Sequence, residues 1–293
     1  MRRWLVSIMQ VIVKQCFEGE RPLFALNDIR VEEVKFNPGE SPLKHCADVE
    51  VRGCEFMAKY PLWHSERVSI ENSCFTPQSR AAIWYSQQVH MADCTIDAPK
   101  MFRRVEHLAI ENSRFGDAAE TLWACRDVRL RQVTMKNGDY LFMNSADIHI
   151  EDFTLQGNYS FDGAKNVFIR RANLDSKDAF WNSENVTVID SVLDGEYLGW
   201  HSKNLRLVNC RILGTQPLCF ATGLVLENCV MEATADLAFE HSTLQADIRG
   251  DIHSVKNPAG GVIRARRIGD VILDSHCQNP GGCEIIIADT VAV

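Results

Sequence analysis

Trp63, Trp84, Trp123, Trp181 and Trp200 are five of the six tryptophans in the chain, and each stands at the same place in a recurring phrase. The phrase is plainest in YPLWHSERVSIENSCF and AAIWYSQQVHMADCTI, where the tryptophan returns after 21 residues. Indoles aligned at a fixed period have two uses. Ring can stack on ring, stabilising a repeated fold by about 0.5–1.5 kcal/mol per pair, or the stripe can serve as a platform for sugar rings or another flat ligand. One place later come His45, His64, Tyr85, Arg104, Asn144, Asn182, His201 and Glu240, polar groups suited to orienting such a ligand.

Acid–base chemistry would need paired carboxylates. Asp162 and Asp178 lie about 11 Å apart on strand and rung spacings, beyond the roughly 5–9.5 Å that glycoside cleavage uses. Asp178 and Glu196 fall on neighbouring turns, about 5–7 Å apart on the same reckoning, and form the candidate catalytic pair. Glu120 and Asp139 show the same relation, so acidic turns can equally be solvated features. No pair of residues has metal-ligand spacing, and no cofactor motif is present.

The elements that position these groups follow from the period. Taking Ile29, Val49, Val68, Val89, Leu108, Val128, Ile148, Val167, Val186, Leu205, Leu224 and Leu244 as anchors gives twelve repeats spaced 19 to 21 residues apart. A second apolar residue sits two places after the anchor and a third seven places after, from Phe36, Phe56 and Phe75 onward. Period two is the signature of a strand with one face inward. Four places after the anchor come Gly53, Asn72, Asp93, Asn112, Asp152, Asp190, Asn209 and Asn228, types that tolerate a left-handed corner. Small residues follow at the next place, half of them cysteines acting as small buried hydrophobes.

Strand, corner, strand and turn at a constant period near 20 predict an all-β fold, a single-stranded parallel β-helix of about twelve rungs. The predicted organisation is an N-terminal extension or cap over 1–14, the coil over 15–251, and a C-terminal cap and tail over 252–293. A leucine-rich repeat is excluded because its Leu-x-x-Leu-x-Leu signature is missing. The apolar column one place before the tryptophans should face inward, so the tryptophan column should face outward. It reads Phe24, Lys44, Trp63, Trp84, Arg103, Trp123, Met143, Asp162, Trp181, Trp200, Cys219 and Phe239.

A net charge of −8 argues against nucleic acid or an anionic membrane as partner. Eleven cysteines without a CxxC pair fit a reducing, cytoplasmic setting better than a disulfide framework. The opening MRRWLVSIMQVIV lacks a small-x-small cleavage site and is too short to span a bilayer, and Met9 is an alternative start.

The phrases RPLF, ESPLK, YPLWH, RAAIWYS, KDAFW, GEYLGWHS, GTQPLC and DLAFE resemble a bacterial family catalogued as domain-of-unknown-function family 3737, over roughly residues 15 to 275. More broadly the arrangement is similar to the right-handed, pectate-lyase-like β-helix superfamily. That resemblance implies a right-handed coil. Superfamily enzymes commonly bind acidic polysaccharides on the outward face of one sheet. Their NTD, aspartate-pair, GHG and RIK patterns are absent here, as is an Arg-Pro-Arg lyase pattern, so no family residue carries over. The expected site is a shallow groove of Trp63, His64, Trp84, Tyr85, Arg103, Trp123, Asp162, Trp181, Trp200 and His201, bordered by Asp178 and Glu196. Its expected ligand is a carbohydrate or sugar derivative. The residues leave open a non-catalytic scaffold using the same stripe, a small-molecule enzyme, and self-association.

Overall fold

A computed structural model describes residues 9–288. The leader reading rests on the opening MRRWLVSIMQVIV, whose residues 1–8 lie outside those described. The described chain is all β, a right-handed parallel β-helix of about 15 turns, and it divides into two compact units, Met1–Lys136 and Asn137–Val293. No helix among the described residues is long and apolar enough to cross a membrane.

In the first unit the anchors pair as the repeat requires. Ile29 lies on Val49, Val49 on Val68, Val68 on Val89, Val89 on Leu108 and Leu108 on Val128, all in parallel register. A further turn precedes them, since Gln10–Val13 pairs with the strand Asn27–Glu32. The second inward column stacks Phe36, Phe56 and Phe75 at 4.8 and 4.6 Å between ring centres, with interplanar angles of 13° and 8°. These separations match the rung spacing, so each ring packs on the ring of the next turn.

The second unit repeats the scheme. Ile148, Val167, Val186 and Leu205 are in register, and Leu224 lies on Leu244. Its core carries the stack Phe142, Phe161 and Phe180. Parallel pairing continues beyond the expected end of the coil: Thr243–Ile248 pairs with Gly260–Ala265, which pairs with Cys283–Ile287. The turn count therefore exceeds twelve. The extra turns escaped the period because Thr243 lies on Gly260 and Gly261 on Cys283, steps of 17 and 22 residues.

The corner column behaves as its residue types require. Gly53, Asn72, Asp93, Asn112, Asp152, Asp190, Asn209 and Asn228 all have φ between 47° and 59°. Small residues past the corner do more than pack. Cys54 and Cys94 receive support from the next rung, their amides donating to Ser73 and Ser113 Oγ at 3.0 and 3.1 Å. Each thiol or hydroxyl in turn donates to a carbonyl two residues earlier. Cysteine and serine interchange here because both are small and both satisfy a carbonyl that the corner turns out of the ladder.

One expectation changes in kind. The tryptophan column does not lie on a strand but on a five-residue curl, in which left-handed residues alternate with ordinary ones: Tyr60, Leu62 and His64 have φ of 58°, 58° and 54° around Pro61 and Trp63. A non-glycine left-handed residue costs about 1–2 kcal/mol. The cost is offset by bonds to the rungs on both sides, from Tyr60 N to Arg80 O, Leu62 N to Pro42 O and His64 N to Trp84 O. Proline fits the curl's second place, where Pro22, Pro42, Pro61 and Pro217 each accept a bond through the carbonyl while no amide is required.

Candidate functional site

Alternation inside the curl sends Leu62 inward and Trp63 outward, as a strand would. All five stripe tryptophans are half-buried on the outside of the coil, while Leu62, Ile83, Leu122, Phe180 and Gly199 before them are buried. The column departs from expectation at its end. Cys219 and Phe239 are fully buried. For Phe239 the register moves by one: the left-handed triplet there is Leu237, Phe239 and His241, which puts Phe239 in the inward place and Glu240 in the tryptophan column.

In the first unit the structure brings Trp63, His64, Trp84, Tyr85, Arg103 and Trp123 together as two adjacent stacks. Trp63 and Trp84 lie 5.1 Å apart at 8°. The Arg103 guanidinium then sits 4.3 Å from the Trp84 ring centre and 4.5 Å from that of Trp123. Indole Nε1 of Trp63 donates to Ala81 O, and that of Trp84 to Lys100 O at 2.7 Å. Beside this run His45, His64 and Tyr85, at 4.9 and 5.0 Å, with Arg104 beyond Tyr85 at 5.9 Å. Burial, helped by His45 and Lys44, pushes the His64 imidazole below its ordinary value. Parallel rings at the rung spacing have their faces turned toward one another along the stack. Trp84 is covered on both faces, and solvent meets mainly ring edges.

The second unit groups Asp162, Asp178, Trp181, Glu196, Trp200 and His201. Here the stack is looser. Trp181 and Trp200 are 5.8 Å apart at 45°, and His201 lies 5.9 Å from Trp181. On its other side Trp181 has no ring in its column, where Asp162 stands, and Asn182 Nδ2 is 3.5 Å from Asp162 Oδ1. One indole face is therefore bordered by a carboxylate and an amide.

Asp178 occupies the first place of its curl, where the neighbouring rungs carry Tyr159 and Tyr197. Its backbone amide donates to Glu196 O at 2.8 Å, which confirms that the two acids lie on adjacent turns. Asp178 is buried, with 4% of its surface exposed. Burial raises its pKa above the ordinary carboxyl value, with Lys177 opposing and Glu196 adding to the rise. Glu196 is engaged differently: Lys177 Nζ lies 3.3 Å from it and 5.2 Å from the Tyr197 ring centre. The sequence reading missed Lys177 and the two tyrosines, which the five-residue curl, but not a strand, places around Asp178.

Among the described residues no group of three or more His, Cys, Asp and Glu side chains is arranged to hold a metal ion. The cysteines are all free thiols.

The fold and its outward aromatic columns define a parallel β-helix protein with an aromatic curl on its outer surface. The chain belongs to the family described as "Protein of unknown function (DUF3737)", matched over residues 10–286. No curated protein matches it. Among solved structures it is similar to a surface adhesin of Streptococcus pneumoniae, at 10% identity and a TM-score of 0.41, over 90% of this chain and 81% of that one. It is also similar to an alginate lyase in complex with a trisaccharide, at 9% identity and a TM-score of 0.40, over 92% and 80%. A tailspike protein of E. coli bacteriophage HK620 in complex with a pentasaccharide aligns at 8% identity and a TM-score of 0.47, over 92% and 72%.

Proposed function

We propose that the protein binds a carbohydrate, with one sugar ring seated on the open face of Trp181. The observation that supports this most is the contrast between the two stripes. Trp84 has both faces covered, whereas Trp181 has an indole on one side at 45° and a polar residue, Asp162, on the other. An apolar ring face edged by hydrogen-bonding groups matches a pyranose, whose C–H face and hydroxyl rim have the same division.

Asp178 extends the reading toward catalysis. A buried carboxyl with a raised pKa is suited to donating a proton, and Glu196 on the adjacent turn is the complementary carboxylate. Lys177 holds Glu196 in place. In a cytoplasmic setting the ligand would be an oligosaccharide or sugar derivative rather than bulk polysaccharide.

A glycan array followed by calorimetry on the leading hits tests the proposal. Trp181→Ala should weaken binding by tenfold or more and Trp84→Ala by little. An array without hits, or equal loss in both variants, removes the site from Trp181.

A further inference from the structure

Charge is divided unevenly along the chain. Residues 1–136 carry 19 Lys and Arg against 18 Asp and Glu, while residues 137–293 carry 12 against 21. The net values are +1 and −9.

In the first unit the curl concentrates the positive part. Phe24, His45, His64, Tyr85 and Arg104 form an exposed row on successive rungs, in contact ring to ring and closed by the Arg104 guanidinium. Lys44 lies beside it with its ammonium 5.5 Å from the Trp63 ring centre. Neither Lys44 nor Arg104 has a carboxylate partner among the described residues, and no acid occurs in the two columns from Phe24 to Ala124. On the strands of this unit, by contrast, Arg30, Lys35, Arg52 and Arg67 each meet a glutamate or aspartate. The row is edge-on aromatic surface with unpaired cations, the composition that the centres of protein interfaces favour.

The second unit has the converse. Asp175 and Asp194 are register partners on adjacent rungs, both exposed, with like charges side by side. Such a pair is destabilising when left alone. Asp194, Glu196 and Asp236 border one shallow hollow. Neither Asp175, Asp194 nor Asp236 has a cationic partner among the described residues, and Asp236 Oδ1 is buried without a hydrogen bond.

We propose that the aromatic row from Phe24 to Arg104 is a docking surface for a second copy of this chain, which presents its Asp175–Asp194 face. The occupant follows from complementarity. The chain carries its own uncompensated acidic face, and meeting it would pair Lys44 and Arg104 while relieving the like-charge contact. Rows and acids that differ in place make the contact heterologous, so it either closes into a ring of copies or extends from copy to copy.

Light scattering on the full chain, across a concentration series at about 20 and about 500 mM salt, measures this directly, because exposed pairs are screened at high salt. Association at low salt that disperses at high salt is expected. Lys44→Glu with Arg104→Glu should abolish it, as should Asp175→Lys with Asp194→Lys in a separate protein. Mixing the two variants should restore it, since each reversed surface then meets a reversed mate; all four side chains are on the surface, and the mixture reports on folded protein. A monomer at every salt and concentration overturns the proposal, and so does association that survives either reversal or fails to return on mixing. If the row instead retains an unrelated acidic macromolecule while the chain stays monomeric, self-association is likewise overturned.

Discussion

The guanidinium of Arg103 is held between two indoles, 4.3 Å from the centre of Trp84 and 4.5 Å from that of Trp123. It stands where a tryptophan stands on the rungs before and after. A planar cation thus substitutes for a ring without interrupting the stack, because its flat faces accept the same contact and its charge is attracted to both π-systems. Its Nε is buried and lacks a hydrogen bond, and one terminal nitrogen reaches Glu120 at 3.8 Å. Stacking is what holds this side chain in the column.

Arg103→Ala should therefore destabilise the protein by about 1–3 kcal/mol, the sum of two partly desolvated cation–π contacts and the lost packing. Arg103→Lys should recover only part of this, since an ammonium cannot lie flat between two rings. Urea unfolding followed by tryptophan fluorescence measures both, and equal stability of the lysine variant and wild type would show that charge alone suffices.

Much of this order was legible beforehand. Within the first unit the anchors from Ile29 to Val128 are in register, as are those from Ile148 to Leu205 within the second, and the corner at Gly53, Asn72 and Asp93 is left-handed because its residue types admit that conformation. The curl was not legible. Leu62 in and Trp63 out is the pattern of a strand, and alternating left-handed residues produce the same alternation of faces, so period two cannot separate them. The move of register at Phe239 was hidden for a related reason: Ala238 and Phe239 are both apolar and both buried, so either could fill the inward column. Trp181 and Trp84 read alike in the sequence. What distinguishes them is the neighbouring rung, Asp162 against Arg103, and whether that neighbour stacks.

Cysteine chemistry gives a second prediction. Seven of the 11 thiols are buried: Cys46, Cys54, Cys94, Cys125, Cys210, Cys219 and Cys229. Burial pushes Cys94 up to about 11 and Cys125 and Cys219 up to about 12, far from the thiolate that reacts. Thiol-specific labelling at pH 8 should be fastest at exposed Cys16 and should reach the buried seven only on denaturation. Cys94→Ser should keep stability within about 1 kcal/mol, because serine already fills this ladder at Ser73 and Ser113, whereas Cys94→Leu should overpack it by about 1–3 kcal/mol.

The third prediction concerns pH. Asp178 has a folded-state pKa raised by burial, so folding favours its protonated form. Its relative contribution to stability is full below the unfolded carboxyl value and is lost as pH rises through the folded value. Asp178→Asn removes that dependence. The variant should match wild type at low pH and become the more stable of the two as pH rises past the ordinary aspartate range. Paired denaturation curves across pH give the difference, which cancels the titration of other carboxylates. A difference that is flat with pH would show that the carboxyl is solvated and unsuited to proton donation.

The last prediction separates stacking from recognition by comparing two tryptophans on the same column. Trp84 has Trp63 on one face and Arg103 on the other, and its Nε1 donates to Lys100 O. Trp84→Ala removes all three and opens a gap in a continuous stack, which should cost about 2–4 kcal/mol. Trp181 touches Trp200 and His201 at angles of 45° and 37°, so Trp181→Ala should cost less, about 1–2 kcal/mol. Ligand affinity should rank the other way, because only the face left uncovered can meet a sugar. Stability and binding measured on the same two variants decide the matter: a ranking that is the same for both would mean that Trp181 is one more stacking residue and that the sugar site lies elsewhere on the coil.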